Sequence, residues 1–213
     1  MIQLEHIEKF YGPTQVLRGI NLEVQQGEFV SIMGRSGSGK STLLNLIGGM
    51  DRPDHGNIFV SGDEITCFTE EQLTLYRRQR IGFIFQFFNL LPHISVSENI
   101  SMPLLLNGAE NDQKVSEFID LVGLSGKETY HPYQLSGGEQ QRVAIARALI
   151  HNPDIILADE PTGSLDSETG EIIMDLIRTL VEKHSKTIIL VTHEPYVAEF
   201  SMKIFEIRDG MIL

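Results

Sequence analysis

The run Gly34-Arg35-Ser36-Gly37-Ser38-Gly39-Lys40-Ser41 sets glycine at its first and sixth positions and ends on Lys-Ser. That spacing matches the phosphate-binding loop pattern at every defined position. Glycines let the backbone fold tightly enough for several N–H groups to converge on phosphate oxygens, and a following helix adds its positive end. Lys40 would neutralise β and γ phosphates, and the Ser41 hydroxyl would ligate Mg²⁺. Arg35, Ser36, Ser38 and Thr42 complete the residues placed at a nucleotide. A Gly/Ser-rich turn capping an ordinary helix is the bland alternative, but a turn has no need of Lys-Ser at the helix start.

Two further groups have chemical meaning. An apolar run, Ile155 to Ala158, delivers Asp159 and Glu160 at its carboxyl end, where parallel sheets bind their ligands. In this Walker B arrangement Asp159 would hold Mg²⁺, mainly through water, and Glu160 would polarise the water that attacks a γ phosphate. His193 follows another apolar run, Thr187 to Val191, and could reach the same phosphate through its ring, although a lone His at a strand end is more often a satisfied loop residue. The segment Leu135 to Ile150 reads LSGGEQQRVAIARALI. Ser136 and Glu139 stand there as a capping box. Gly137 and Gly138 in a first helical turn cost roughly 1 kcal/mol each relative to Ala, so something is expected to approach that backbone closely. An anion is the natural candidate.

The elements that must position these groups follow from hydrophobic patterning. Short apolar runs at Phe29 to Met33, Ile81 to Phe85, Ile155 to Ala158, Thr187 to Val191 and Ile204 to Ile207 read as buried strands. They alternate with helical patterns such as Ser41 to Gly48 and Ser167 to Lys183. This is the grammar of an α/β fold with a mostly parallel sheet between helices. The first 28 residues and Asn57 to Val60 alternate in short pieces separated by glycines, which predicts a small antiparallel β layer. Glu98 to Leu106, Asp112 to Val122 and Glu139 to Ile150 predict helices. The expected organisation is a single domain over 1–213, with a core formed by 1–87 and 151–213 and an inserted α-helical lobe over 88–150.

Composition narrows the function further. With 213 residues, 41% apolar residues and a formal net charge of -12, the chain has enough material for one sizeable core. It lacks the clustered basic face of a nucleic-acid binder. The one short basic run, Arg77, Arg78 and Arg80, reads as a solvated helix face. No apolar run reaches the roughly 20 residues of a spanning helix, and MIQLEHIEKF has no signal-peptide pattern. Cys67 alone precludes an intrachain disulfide. A cytoplasmic location is the expectation.

LSGGEQQ resembles the signature motif of ABC ATPases, and the remaining motifs follow in that family's order: Tyr11, the phosphate loop, Gln86, the signature, the Walker B strand, Ser164-Leu165-Asp166 and His193. The resemblance implies that Tyr11 stacks on adenine and that Gln86 ligates Mg²⁺ and senses a transmembrane partner. It further implies that Ser136, Gly137, Gly138 and Glu139 act on ATP held by a second identical chain, with Ser164 to Asp166 at the subunit boundary. Catalytic roles would fall to Glu160, His193 and Lys40; metal contacts to Ser41, Gln86 and Asp159. FIFQFFNLLPHISVSENI and LADEPTGSLD resemble the branch of lipoprotein-release, macrolide-efflux and cell-division ATPases. That branch implies a separate permease docking near Gln86 to Leu91, at the inner face of the membrane, through the exposed Phe87, Phe88 and Leu91. Coupling would be to extrusion of a lipoprotein, peptide or small molecule, or alternatively to signalling in cell division. Arg35 stands where the family often has Pro and Ser164 where Asn is usual, and neither departure removes a ligand. A GTPase would carry an Asn-Lys-x-Asp motif, which is absent. Ending at Leu213 just after its last predicted strand, the chain is expected to have no fused permease.

Overall fold

The computed structural model describes residues 2–184 and 186–213, with side chains left aside for 180–184. In chain order the elements are β1 (Ile2–Tyr11), β2 (Thr14–Val24), β3 (Phe29–Met33), α1 (Lys40–Ile47), β4 (His55–Val60), β5 (Asp63–Glu64) and α2 (Glu70–Arg80). There follow β6 (Ile81–Ile84), α3 (Val96–Leu106), α4 (Asp112–Leu121), α5 (Gly137–Leu149), β7 (Ile155–Asp159) and α6 (Ser167–His184). The chain finishes with β8 (Thr187–Thr192), α7 (Pro195–Ala198), β9 (Lys203–Arg208) and β10 (Met211–Ile212). It divides into two compact units, one of residues 1–77 and 185–213 and the other of 78–184.

In the first unit, β3 is the middle of a parallel set, registered with β8 (Phe29 opposite Ile188) and with β9 (Val30 opposite Lys203). β8 is buried along its whole length, which is why its sequence reads as a continuous apolar run. α1 packs against β8. The antiparallel layer has the order β2-β1-β4-β5. Along β1 the buried positions run Ile2, Leu4, then Ile7 and Lys9. The alternation slips by one because the register shifts between Leu4 and Ile7, where His6 takes a φ of 51°. A bulge of this kind lets a strand keep its apolar side inward after a bend.

In the second unit β6 and β7 pair in parallel, Ile81 opposite Ile155, and α5 packs on β6. A Cβ at Gly82 would stand 2.2 Å from the Ala148 carbonyl oxygen, so only glycine allows this strand and helix to meet. Val96 and Ile100 of α3, Val115 and Ile119 of α4, and Val143 and Ala146 of α5 form the apolar centre of the helical part.

The parallel strands, antiparallel layer and helical region agree with the α/β reading. The basic run is a correction. Arg77 donates to the Gly49 carbonyl at 2.5 Å and to Thr74 Oγ1 at 3.0 Å. Arg78 is half-buried with its Nε enclosed. These stems serve packing, as long cationic side chains can, and are not a solvated face. Among the described residues no helix is long and apolar enough to cross a membrane.

Candidate functional site

The phosphate loop joins β3 to α1, and its glycines are dictated by space and dihedral angle. A Cβ on Gly34 would lie 2.4 Å from the Ile207 carbonyl oxygen and 2.6 Å from Ser38 Oγ, and Gly39 holds a φ of 104°. α1 starts on Gly39 with no side-chain cap and no acidic residue in its first turn. The amides that open a helix have no intrahelical partner, and glycine at the cap position adds no side-chain acceptor to them. Lys40 is 5% exposed, and its ammonium curls back to donate to the carbonyls of Gly34 at 2.9 Å and Arg35 at 3.1 Å. Ser38 Oγ is buried with no hydrogen-bond partner, an unmet polar group in a loop of phosphate-binding type. Ser41 and Thr42 open the helix behind it.

Two more predicted residues belong to this unit. Tyr11 ends β1, is 49% exposed, and donates its hydroxyl to Asp51 Oδ2 at 2.8 Å. Burial, then the Asp51 carboxylate, push its phenol above the ordinary value, while a hydrogen bond with Thr42 works the other way. The ring is therefore moored beside α1 with much of its surface in solvent. His193, just past β8, is exposed and lines a cleft of about 530 Å³ together with Gly34, Arg35, Ser36, Ile204 and Glu206.

The second unit gathers Gln86, Glu160, Gly163 and Ser164. A Cβ at Gly163 would stand 2.9 Å from Gln86 Nε2 and 3.4 Å from Glu160 Oε2, so both side chains converge on that glycine. Ser164 Oγ donates to the Gln86 carbonyl at 2.9 Å. Asp159 closes β7, and Glu160 follows with a φ of 43°. That left-handed conformation is uncommon for a residue with a side chain and collects at functional sites. The turn is closed by the Gly163 amide, which donates to the Glu160 carbonyl at 3.0 Å. Asp166 caps α6, accepting from the Thr169 amide at 2.9 Å, and the Thr169 bonds hold its carboxyl below the usual range.

α5 begins at Gly137 under Ser136. The Ser136 hydroxyl accepts from the Glu139 amide at 3.4 Å, and Glu139 Oε2 accepts from the Ser136 amide at 2.8 Å. The expectation about the paired glycines needs correcting at Gly138. Its hypothetical Cβ would lie 2.5 Å from Thr169 Cγ2, so a methyl of the same chain already makes the close approach. At Gly137 the nearest groups, Leu165 at 3.4 Å and Phe88 at 3.8 Å, leave ordinary contact distances. The docking patch also changes. Phe87 is 73% exposed and Leu91 47%, but Phe88 is half-buried beside Gly137.

Sequence reasoning missed two residues that hold these groups in place. Gln141 is fully buried and donates to the Pro161 carbonyl at 2.7 Å, tying α5 to the turn after β7. Arg147 donates to the carbonyls of Phe88 at 2.8 Å and Asn89 at 2.6 Å, and burial pushes its guanidinium pKa down. Those carbonyls belong to residues with φ of 60° and 48°. A polar residue on the inward side of a helix was the only available signal for either.

Comparison with known proteins agrees with these motifs. The ABC transporter family model matches residues 17–163. The ABC transporter ATP-binding protein MJ0796 of Methanocaldococcus jannaschii is 45% identical over 100% of this chain and 95% of its own length. The lipoprotein-releasing system ATP-binding protein LolD of Bacteroides fragilis is 44% identical over all of both chains. The macrolide export ATP-binding/permease protein MacB of Syntrophobacter fumaroxidans is 47% identical, this chain spanning 31% of it. Among solved structures, the dimeric post-hydrolysis state of MJ0796 bound to ADP and Pi aligns with a TM-score of 0.92 at 44% identity, over 100% of this chain and 96% of that one. With its phosphate loop, signature helix and Walker B strand in place, this chain belongs to the ABC transporter family as an ATP-binding, ATP-hydrolysing cassette of the type that includes LolD and MacB.

Proposed function

We propose that two copies of this chain, each a single ABC domain, pair head to tail around two ATP molecules and energise a separate membrane permease. The permease would export or extrude a small molecule, peptide or lipoprotein. The observation that supports the pairing is that the chain has two glycine-rich helix N-termini, those of α1 and α5, and in sequence the phosphate loop leads only into the first. The solved MJ0796 dimers support it by similarity. Phe87 and Leu91, exposed just beyond Gln86, are the apolar groups offered to the permease.

In this reading Tyr11 stacks on adenine and Gly34 to Thr42 enclose the phosphates. Lys40 gives up its loop carbonyls for β and γ oxygens, and His193 contacts the γ phosphate. Glu160 polarises the attacking water and takes its proton, while Gln86 senses the permease. The strained Glu160 backbone and the turn at Gly163 aim that carboxylate. Ser41, Gln86 and Asp159 suit Mg²⁺, since hydroxyl, amide and carboxylate are all hard oxygen donors. Mg²⁺ usually retains several waters and phosphate oxygens, so few protein ligands suffice. When bound, Mg²⁺ would neutralise phosphate charge.

Mixed dimers test the arrangement. Lys40→Ala and Ser136→Arg should each prevent an occluded ATP dimer alone. Combined, one site carries both defects and the other is whole, so occlusion should return to roughly one ATP per mixed dimer. If mixed dimers demonstrably form, with the permease present where pairing requires it, and occlude no ATP, then Ser136 serves its own chain and the proposal is wrong.

A further inference from the structure

Glu139 suits a helix start but has the wrong charge for one that must meet a phosphate. It stands in the first turn of α5, whose N-terminus the proposed function directs at the γ phosphate of the partner's ATP. A helix start has an effective charge of about +0.5, and one carboxylate beside it would cancel that and repel a polyanion.

The chain supplies a counter-charge from the segment that leads to the signature. Lys127 Nζ donates to Glu139 Oε1 in an ion pair whose side chains are only 34% and 18% exposed. The other oxygen, Oε2, accepts from the Ser136 amide at 2.8 Å. The carboxylate is thus held from two sides, by the ammonium and by the cap, and Lys127 is the main cause keeping its pKa low. Lys127 is itself fixed. Its amide donates to the Leu124 carbonyl at 3.0 Å, its carbonyl accepts from the Tyr130 amide at 3.0 Å, and the Tyr130 ring centroid lies 5.9 Å from the ammonium. Leu124 is buried in the helical core, so the cation is anchored to the same packed unit as α5.

We propose that Lys127 is a positioning residue for ATP-driven pairing: it locks Glu139 into the helix cap and cancels its charge, so that α5 meets the partner's phosphate as a positive end. The proposal rests on the head-to-tail reading above. Its consequence is a charge relation between Lys127 and Glu139 that shows in the ATP dependence of pairing and not only in stability. Removing the cation alone should hurt, and removing both charges should not.

The experiment uses the full chain carrying Glu160→Gln, so that ATP-bound dimers persist, and reads by sedimentation the ATP concentration that half-saturates dimer formation. Lys127→Met should raise that concentration about three- to tenfold, the size expected of one unscreened charge near a phosphate. The defect should shrink as salt is raised. Adding Glu139→Gln to Lys127→Met should recover most of the loss, and Lys127→Arg should stay near the parent. Lys127→Gln, milder sterically, should repeat the Lys127→Met result. Ser136→Arg separates the two claims. If that variant still pairs with ATP, the head-to-tail reading fails. If it does not pair, yet Lys127→Met and Lys127→Gln pair at the parental ATP concentration, or their loss is not recovered by Glu139→Gln, the assignment of Lys127 is overturned. Unfolding of both Lys127 variants, with or without Glu139→Gln, overturns it too, because the residue would then be structural.

Discussion

α1 and α5 both open on glycine-rich sequence, but they are finished differently. α1 has no side-chain cap and no acid in its first turn, whereas α5 has a full capping box and Glu139. The first helix start has neither a side-chain cap nor an acid beside it. The second is already partly satisfied, since the cap takes the Ser136 and Glu139 amides and leaves a phosphate fewer groups to bind. Binding at α1 can therefore be intrinsic to one chain, while binding at α5 is weak unless something else brings the phosphate close. In the proposed dimer, the partner's phosphate loop does so.

The largest expected effect tests this asymmetry directly. In dilute monomer, Lys40→Ala should reduce ATP affinity by at least about a hundredfold, because a buried ammonium and its charge-assisted bonds to phosphate are lost. Ser136→Arg should leave monomer affinity within about twofold. Equilibrium binding of a fluorescent ATP analogue below the pairing concentration measures both. A comparable loss in the Ser136 variant would mean that α5 reaches its own chain's nucleotide and that the asymmetry has been misread.

How much of this was readable beforehand differs along the chain. β3, β7 and β8 are buried on both faces, so their composition alone marks them, and the phosphate loop is a contiguous pattern with one structural solution. The convergence of Gln86 and Glu160 at Gly163 was not readable as geometry, because it depends on β6 and β7 pairing in register across a long stretch of sequence. Gly138 shows a different limit. The sequence signals a close approach without naming what approaches, and the answer, Thr169, lies on another helix. Local pattern overstates the exposure of Arg77 and Phe88, because exposure of a single side chain is settled by tertiary contacts that local pattern does not encode.

A middle-sized effect sharpens the contrast in glycine use. Gly39 is set by its dihedral angle, but Gly138 is set by one methyl group. Gly138→Ala should destabilise the free chain by about 1–3 kcal/mol through overpacking, lowering Tm by several degrees. Thr169→Ser, which deletes that methyl, should restore most of the loss in the double variant. If Gly138→Ala is as stable as the parent while ATP-driven pairing is lost, the glycine is reserved for the partner after all.

The smallest expected effect concerns what the α5 cap contributes by itself. Lys127 first, and the Ser136 amide second, hold the Glu139 carboxyl below its ordinary range. A carboxyl with a depressed folded-state pKa stabilises the fold above its unfolded value of about 4.3 and loses that contribution as pH falls through the folded value. At neutral pH the parent should therefore be more stable than Glu139→Gln, by no more than about 1 kcal/mol given the partial exposure of the pair. The difference in Tm between the two should narrow as pH drops from about 5 to about 3. Comparing the two proteins at each pH removes the titration of every other carboxyl, which a single melting curve cannot do. α1 has no acidic residue in its first turn, so this term has no counterpart at the phosphate loop. A constant difference across that range would mean that the charge of Glu139 adds nothing to the cap, leaving only the hydrogen bond that glutamine also makes.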